Sequence, residues 1–161
     1  MEVKKMSQPG APTQTALQRH SPPRILVVED DVDIRRLNTE VLIESGYKVD
    51  AAQDGAAAWS ALQLFDYDLL ITDNNMPTVT GVELIKKLRS EDMTLPVVLM
   101  SGTMPTEEIS QHPWMQIQAM LLKPYSVAEL LRTVKEVLRA PDQAAMTQNW
   151  QGLPAAARLQ L

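Results

Sequence analysis

Short apolar runs alternate with stretches of helical periodicity five times between residues 23 and 140. The runs are RILVV at 24–28, KVDAA at 48–52, DLLIT at 68–72, PVVLM at 96–100 and AMLL at 119–122. Three of them are almost wholly apolar, as strands are when helices cover both faces of a sheet, whereas KVDAA is more polar and predicts an edge strand. The alternation predicts an α/β fold with a doubly wound parallel sheet.

Apolar residues at helical spacing follow each strand. The predicted core-facing residues are Ile34, Leu37, Val41 and Leu42 in the first helix, Ala58, Leu62 and Phe65 in the second, Val82, Ile85 and Leu88 in the third, and Leu130, Leu131, Val134, Val137 and Leu138 in the last. Gly46 is suited to the left-handed position that ends the first helix, and Ser126 and Glu129 have capping-box spacing. Pro113 predicts that a fourth helix starting near Thr106 is short, broken or displaced.

The two ends of the chain lack this periodicity. Residues 1–22 are rich in proline and polar residues and predict a flexible leader, and residues 141–161 predict a flexible or loosely docked tail. The segment between them, 23–140, is the expected folded domain.

Composition and net charge indicate which classes of protein and which kinds of partner to expect. With 45% hydrophobic and 22% charged residues the chain is typical of a globular protein, and no apolar run approaches the roughly 18 residues that span a bilayer. The absence of cysteine fits a reducing compartment, so we expect a cytoplasmic protein that does not contact the membrane. A net charge of −5 without a basic stripe argues against direct binding of nucleic acid and favours proteins and cations as partners.

Four of the runs end on residues that can bind a metal ion or a phosphoryl group. Glu29 and Asp30 follow the first run, Asp73 the third, Ser101 the fourth and Lys123 the fifth. Because the carboxyl ends of parallel strands share one edge, these side chains are expected to converge in one crevice. Adjacent carboxylates repel one another, and Mg²⁺, which prefers oxygen ligands, would relieve that repulsion.

Asp73 is the predicted nucleophile, since a carboxylate can attack phosphorus when a metal neutralises the phosphoryl oxygens. The turn-forming residues after it would direct the backbone carbonyl of Asn75 towards the metal. Asp31 and Asp33 are interpreted instead as acids at a helix N-terminus. Taken alone, Ser101 before Gly102 is interpreted as a turn.

With these motifs in order, the chain resembles the receiver domains of two-component response regulators over roughly 24–139. The motifs are ILVVEDD at 25–31, LLITDNNMPTVTG at 69–81, VVLMSG at 97–102 and LLKPY at 121–125. The resemblance implies a flavodoxin-like, five-stranded parallel sheet of order 2-1-3-4-5 with helices on both faces.

The resemblance also implies roles for single residues. Asp73 corresponds to the phosphoacceptor, Glu29 and Asp30 to the acidic pair that holds Mg²⁺, and Asn75 to the main-chain metal ligand. Ser101 corresponds to the hydroxyl that follows the phosphoryl group during switching, and Lys123 to the lysine that pairs with it. The implied donor is a sensor histidine kinase or a histidine phosphotransfer domain. The protein would be a signalling phosphoacceptor that catalyses its own phosphotransfer and dephosphorylation, rather than an enzyme with a separate substrate.

Two departures from the family pattern concern the output. Met120 stands where family members often have an aromatic switch residue, so a rotating ring cannot report phosphorylation here, although methionine can repack. Pro113 alters the fourth helix, which belongs to a common partner-binding face. The downstream protein, and whether phosphorylation causes dimerisation, are left open by the sequence.

Two alternatives are weighed against this interpretation. Asp31 and Asp33 form an Asp-x-Asp pair after the first strand, as in Mg²⁺-dependent phosphatases of the haloacid dehalogenase type, with Asp31 as nucleophile. That hypothesis leaves the segment after Asp73 unexplained. A receiver-like module that no longer accepts phosphate is the second alternative, and the presence of every expected site residue argues against it.

Overall fold

The computed structural model describes residues 21–103 and 106–151. The strands are β1 (Arg24–Val28), β2 (Lys48–Ala52), β3 (Leu69–Asp73), β4 (Val97–Ser101) and β5 (Ala119–Leu122). The helices are α1 (Val32–Glu44), α2 (Gly55–Leu64), α3 (Gly81–Ser90), α4 (Thr106–Gln111), a 3₁₀ helix (Pro113–Met115) and α5 (Val127–Gln151). The strands form one parallel sheet in the order β2-β1-β3-β4-β5, which confirms the predicted fold and the edge position of β2.

The alternation of side chains along the central strands divides the core into two layers. Leu26 and Val28 of β1 face the layer formed with α2 and α3, whereas Ile25 and Val27 face the layer formed with α1 and α5. All residues of β3 and β4 are buried, because helices cover both faces of the sheet. Each fully buried large aliphatic side chain contributes about 1.5–3 kcal/mol, so these layers hold the strand ends at fixed positions.

The helix starts follow the polar residues that precede them. Asp31, Asp54 and Thr80 accept backbone hydrogen bonds at the N-termini of α1, α2 and α3, and Thr80 forms a full capping box with Glu83. The predicted box between Ser126 and Glu129 is also present.

Two predicted core residues are exposed. Leu37 is 52% exposed on α1, and its neighbour Asn38 is buried instead, since α1 faces the sheet through Asn38 and Leu42. Phe65 is 49% exposed and lies beyond the last residue of α2, where it stacks on the Arg24 guanidinium. Helical periodicity predicts which residues share a face of a helix. It does not predict the angle at which that helix packs on the sheet, and this angle decides which face is buried.

The last part of the domain contains the short fourth helix and the long final helix. As predicted, α4 is short and is followed by a separate 3₁₀ helix at Pro113. The domain boundary predicted at residue 140 stays a prediction; α5 runs from Val127 to Gln151. The remaining predicted tail, 152–161, and the leader up to residue 20 lie outside the described residues. No described helix combines the length and the apolar character that crossing a membrane requires.

Candidate functional site

An acidic cluster lies at the carboxyl edge of the sheet. Val28 pairs with Thr72 in the β1–β3 register, so Glu29 and Asp73 leave neighbouring strands side by side. Carboxylate oxygens of Glu29, Asp30 and Asp73 lie within 4.8 Å of one another. Glu29 and Asp73 are buried, while Asp30 is exposed, so the cluster opens to solvent on the side of Asp30. The predicted convergence of these three residues is present.

Lys123 joins the cluster from the end of β5. Its Nζ lies 2.7 Å from Glu29 Oε2 and 3.0 Å from Asp73 Oδ1. Burial alone would lower the pKa of Lys123, but the close contacts and negative charges of these two carboxylates outweigh it, and the net pKa is raised. Burial raises the pKa of Glu29, against the opposing effect of its hydrogen bond from Lys123. Three carboxylates and one ammonium leave an excess of negative charge that a dication would balance.

The two oxygens of Asp73 have different environments. Oδ2 accepts a hydrogen bond from the backbone N–H of Asn75 at 3.1 Å. Oδ1 is buried, and its contact with the protein is an ion pair with the Lys123 ammonium 3.0 Å away, not a hydrogen bond from a described donor. A buried carboxylate oxygen without a hydrogen bond is costly, so it fits a site where a metal ion or a phosphoryl group completes the coordination. The hard oxygen donors around it suit Mg²⁺.

The loop after β3 holds Asp73 by close backbone packing. Gly81, the first residue of α3, lies so near Asp73 that a Cβ on this glycine would be 2.4 Å from the Asp73 carbonyl oxygen. The Asn74 side chain accepts a hydrogen bond from Val82 N at 3.2 Å and caps the same helix. Asn75 is exposed, and its part as a carbonyl ligand stays a prediction.

Ser101 is the last residue of β4 and is buried. Its hydroxyl donates to the carbonyl oxygen of Thr103, two residues later, so the turn interpretation describes its contacts here. Its carbonyl accepts a hydrogen bond from Lys123 N at 2.8 Å, which places the ends of β4 and β5 side by side. Among the described residues, a Cβ on Gly102 would come nearest to Asn75 Nδ2, at 3.8 Å.

Met120 is partly buried on β5 and packs against the layer that contains Met115 of the 3₁₀ helix. The residue expected to repack therefore packs against the same core layer as the altered segment that follows α4. Whether it moves on phosphorylation stays a prediction.

Asp31 has a structural role. Its Oδ1 accepts hydrogen bonds from the backbone N–H groups of Asp33 and Ile34, at 2.9 and 3.1 Å, and these bonds lower its pKa. It therefore caps α1 and does not belong to the cluster of three carboxylates. The phosphatase alternative, which requires Asp31 as nucleophile, has no support in this arrangement.

Sequence reasoning missed two groups near the site. Arg35 donates hydrogen bonds from Nη1 to the carbonyl oxygens of Glu29 and Asp30, at 2.6 and 3.1 Å, and so holds the acidic loop. Asn38 donates to the Tyr125 hydroxyl at 2.8 Å. For Arg35, the weak signal in the sequence was an arginine one turn into a helix that follows acidic residues. For Asn38, the weak signal was a polar residue within an apolar stripe.

Comparison with known proteins gives a consistent result. Residues 25–135 match the family model of the response regulator receiver domain. Over 116 residues the chain is 34% identical to a Salmonella typhimurium protein, "Probable transcriptional regulatory protein SilR", covering 72% of this chain and 51% of that protein. The chain thus spans about half the length of the curated relatives it matches.

Solved structures show the same similarity. The chemotaxis protein CheY4 of Vibrio cholerae superimposes with a TM-score of 0.67 at 29% identity, covering 72% of this chain and 98% of that one. The response regulator TrrA of Thermotoga maritima, solved in complex with Mg²⁺ and BeF, gives 0.63 at 30% identity, covering 71% and 98%.

Proposed function

Because this chain belongs to the response regulator receiver domain family, we propose that it accepts a phosphoryl group on Asp73 in a Mg²⁺-dependent phosphorelay. One observation carries this proposal. Asp73 Oδ1 is a buried oxygen without a hydrogen bond, and it lies between a lysine ammonium and two further carboxylates. The donor would be the phosphohistidine of a sensor histidine kinase or of a histidine phosphotransfer domain.

In the proposed transfer, Asp73 Oδ1 forms a bond to phosphorus while the bond between phosphorus and the donor imidazole nitrogen breaks. The imidazole leaves with the electron pair and takes up a proton, and an acyl phosphate remains on Asp73. Glu29, Asp30 and Asp73, with the carbonyl of Asn75, would hold Mg²⁺, which neutralises charge on the phosphoryl oxygens when bound. Lys123 already lies beside Oδ1 and would pair with a phosphoryl oxygen.

The proposed output is contact with a further protein. The matched relative SilR is named a transcriptional regulatory protein, but this chain corresponds to about half of it. We propose that the acidic domain described here does not itself bind nucleic acid, that it acts in the cytoplasm, and that it turns over no separate substrate. Repacking of Met120 would take the place of a rotating aromatic ring.

The test is phosphorylation by a small phosphodonor such as acetyl phosphate with Mg²⁺, followed by intact mass measurement. We expect a single phosphoryl adduct that is stable to acid and labile to base. Asp73→Asn should abolish it, and Asp31→Asn, which alters only the helix cap, should retain it. Labelling that persists in Asp73→Asn would contradict the proposal, and labelling lost only in Asp31→Asn would favour the phosphatase alternative.

A further inference from the structure

A polar pair, formed by the buried Asn38 and the half-buried Tyr125, connects α1 to the loop that follows β5. Asn38 is only 3% exposed, and its Nδ2 donates to the Tyr125 hydroxyl at 2.8 Å. That hydroxyl in turn donates to the Sδ of Met100 on β4 at 3.0 Å. The phenol therefore contacts a helix and a strand that are far apart in the chain, inside a layer that is otherwise apolar.

Tyr125 lies two residues after Lys123 in the same short loop. At the start of this loop, Lys123 N donates to the Ser101 carbonyl oxygen at 2.8 Å. At its end, Ser126 begins the cap of α5. The loop is thus held to β4 at Lys123, and to both α1 and β4 at Tyr125.

The lysine has a flexible four-carbon side chain, so the position of its ammonium depends on where its backbone is held. Here the ammonium must reach Glu29 and Asp73 together, at 2.7 and 3.0 Å. A shift of the loop by a fraction of an ångström would favour one carboxylate at the expense of the other. A hydrogen bond is directional, whereas apolar packing of a phenyl ring is not, so a hydroxyl held between two partners limits such a shift.

Stability alone does not explain the pair. A typical buried hydrogen bond contributes about 0.5–1.5 kcal/mol net, and an apolar pair of the same shape in this layer would be nearly neutral. The polar pair adds a directional constraint on the loop. A site for phosphoryl transfer needs such a constraint, because its groups must be held within about 0.5 Å of the productive geometry.

We propose that Tyr125 is a positioning residue: its hydroxyl, held by Asn38 and Met100, fixes the loop so that the Lys123 ammonium lies between Glu29 and Asp73. The inference rests on the proposed function, because Lys123 acts there on the phosphoryl group. It predicts that the hydroxyl affects binding of a phosphoryl group, which contacts Lys123, without affecting binding of Mg²⁺, which contacts the carboxylates.

The test compares Tyr125→Phe with the unaltered protein in two titrations, one with Mg²⁺ alone and one with fluoroberyllate in saturating Mg²⁺. We expect fluoroberyllate affinity to fall about fivefold to tenfold, the loss of one aligned hydrogen bond, and Mg²⁺ affinity to stay within about twofold. The matched control is Tyr47→Phe, since Tyr47 packs on the same layer and its hydroxyl bonds to no described residue. The control should change neither affinity.

A second variant separates positioning from folding. Tyr125→Phe leaves the buried Asn38 amide with only its 3.7 Å hydrogen bond to Met100 Sδ and lowers stability, whereas Asn38→Leu combined with Tyr125→Phe replaces the pair with apolar groups and should recover most of the lost stability. If the hydroxyl positions Lys123, fluoroberyllate affinity stays low in the double variant. Recovery of both stability and affinity would overturn the proposal.

The outcomes also distinguish the two proposals. If the unaltered protein binds fluoroberyllate and Tyr125→Phe binds it equally well, the positioning role is wrong and the phosphoacceptor function stands. If the unaltered protein binds Mg²⁺ but no fluoroberyllate, the proposed function itself is contradicted, and the positioning role with it.

Discussion

Arg89 of α3 donates a hydrogen bond from Nε to the carbonyl oxygen of Met115, 2.8 Å away in the 3₁₀ helix. The same guanidinium donates to the carbonyl oxygens of Leu95 and Gln116, at 2.9 and 3.2 Å, and to that of Met93. Met115 and Gln116 follow the break that Pro113 makes after α4, and Met93 and Leu95 belong to the loop before β4. One side chain thus connects the loop before β4 to the 3₁₀ helix and to the residue that follows it.

Arg89→Ala should lower the free energy of unfolding by about 2–3 kcal/mol, because partly buried carbonyl oxygens lose their donors. Arg36→Ala is the matched control, since Arg36 is exposed and makes only a 3.8 Å contact with Glu40. Urea unfolding followed by circular dichroism measures both. If both substitutions changed the free energy of unfolding equally, water would be replacing Arg89 as the donor to these carbonyl oxygens.

Asp30→Asn should weaken Mg²⁺ binding about tenfold or more, because it removes a carboxylate of the cluster without disturbing a buried contact. At Mg²⁺ concentrations about ten times the dissociation constant, the unaltered protein should gain about 1.4 kcal/mol of stability, and Asp30→Asn should lose most of this gain. Thermal unfolding with and without Mg²⁺ measures it. Asp31→Asn, one residue away, should keep the stability gained from Mg²⁺. If Asp31→Asn lost this gain and Asp30→Asn kept it, the metal ion would bind elsewhere.

Gly81→Ala should destabilise the domain by about 3 kcal/mol, because its Cβ would lie 2.4 Å from a backbone oxygen of Asp73 that cannot move freely. It should also slow phosphorylation by displacing Asp73. Gly102→Ala is the control on another strand end, where the new methyl group meets no atom of the described residues closer than 3.8 Å. Chemical denaturation and the labelling assay provide the two measurements; tolerance of Gly81→Ala in both would contradict the geometry.

Thr78 adopts φ 70°, an unfavourable backbone conformation for a β-branched residue, within a turn closed by a hydrogen bond from Val79 N to Pro77 O. Thr78→Gly should relieve about 1–3 kcal/mol of strain and lose about 0.5–1 kcal/mol to chain entropy, giving a net stabilisation. Thr80→Gly, in the same loop, should destabilise because φ is −72° there and the helix cap is lost. Equilibrium unfolding of the two variants tests whether the free energy of unfolding rises in Thr78→Gly and falls in Thr80→Gly.

Tyr67 contributes a dependence on alkaline pH. Burial and its hydrogen bond to Asp50 raise the pKa of this phenol from 10.0 to about 12. The folded state holds the proton more tightly than the unfolded state, so this contribution is complete below about pH 10 and is lost as pH rises towards about 12. The stability difference between the unaltered protein and Tyr67→Phe should therefore shrink between about pH 10 and about pH 12. A constant difference in denaturation measurements would contradict the raised pKa.

The sequence by itself determined which segments form the strands and which polar residues follow them. Apolar runs placed β1, β3 and β4 in the interior, and the residues that end the runs had to meet because parallel strands share a carboxyl edge. The convergence of Glu29, Asp30, Asp73 and Lys123 could therefore be predicted from the sequence, since one local pattern places each of them after a strand.

Only the tertiary structure decided the contacts between elements that are distant in the chain. Leu37 is exposed and Asn38 is buried because of the angle at which α1 packs on the sheet, and helical periodicity does not contain that angle. The bonds of Arg89 to the 3₁₀ helix and of Asn38 to Tyr125 depend on where two separate elements meet in space. Such contacts connect residues 26 and 87 positions apart, and no local pattern of residues specifies them.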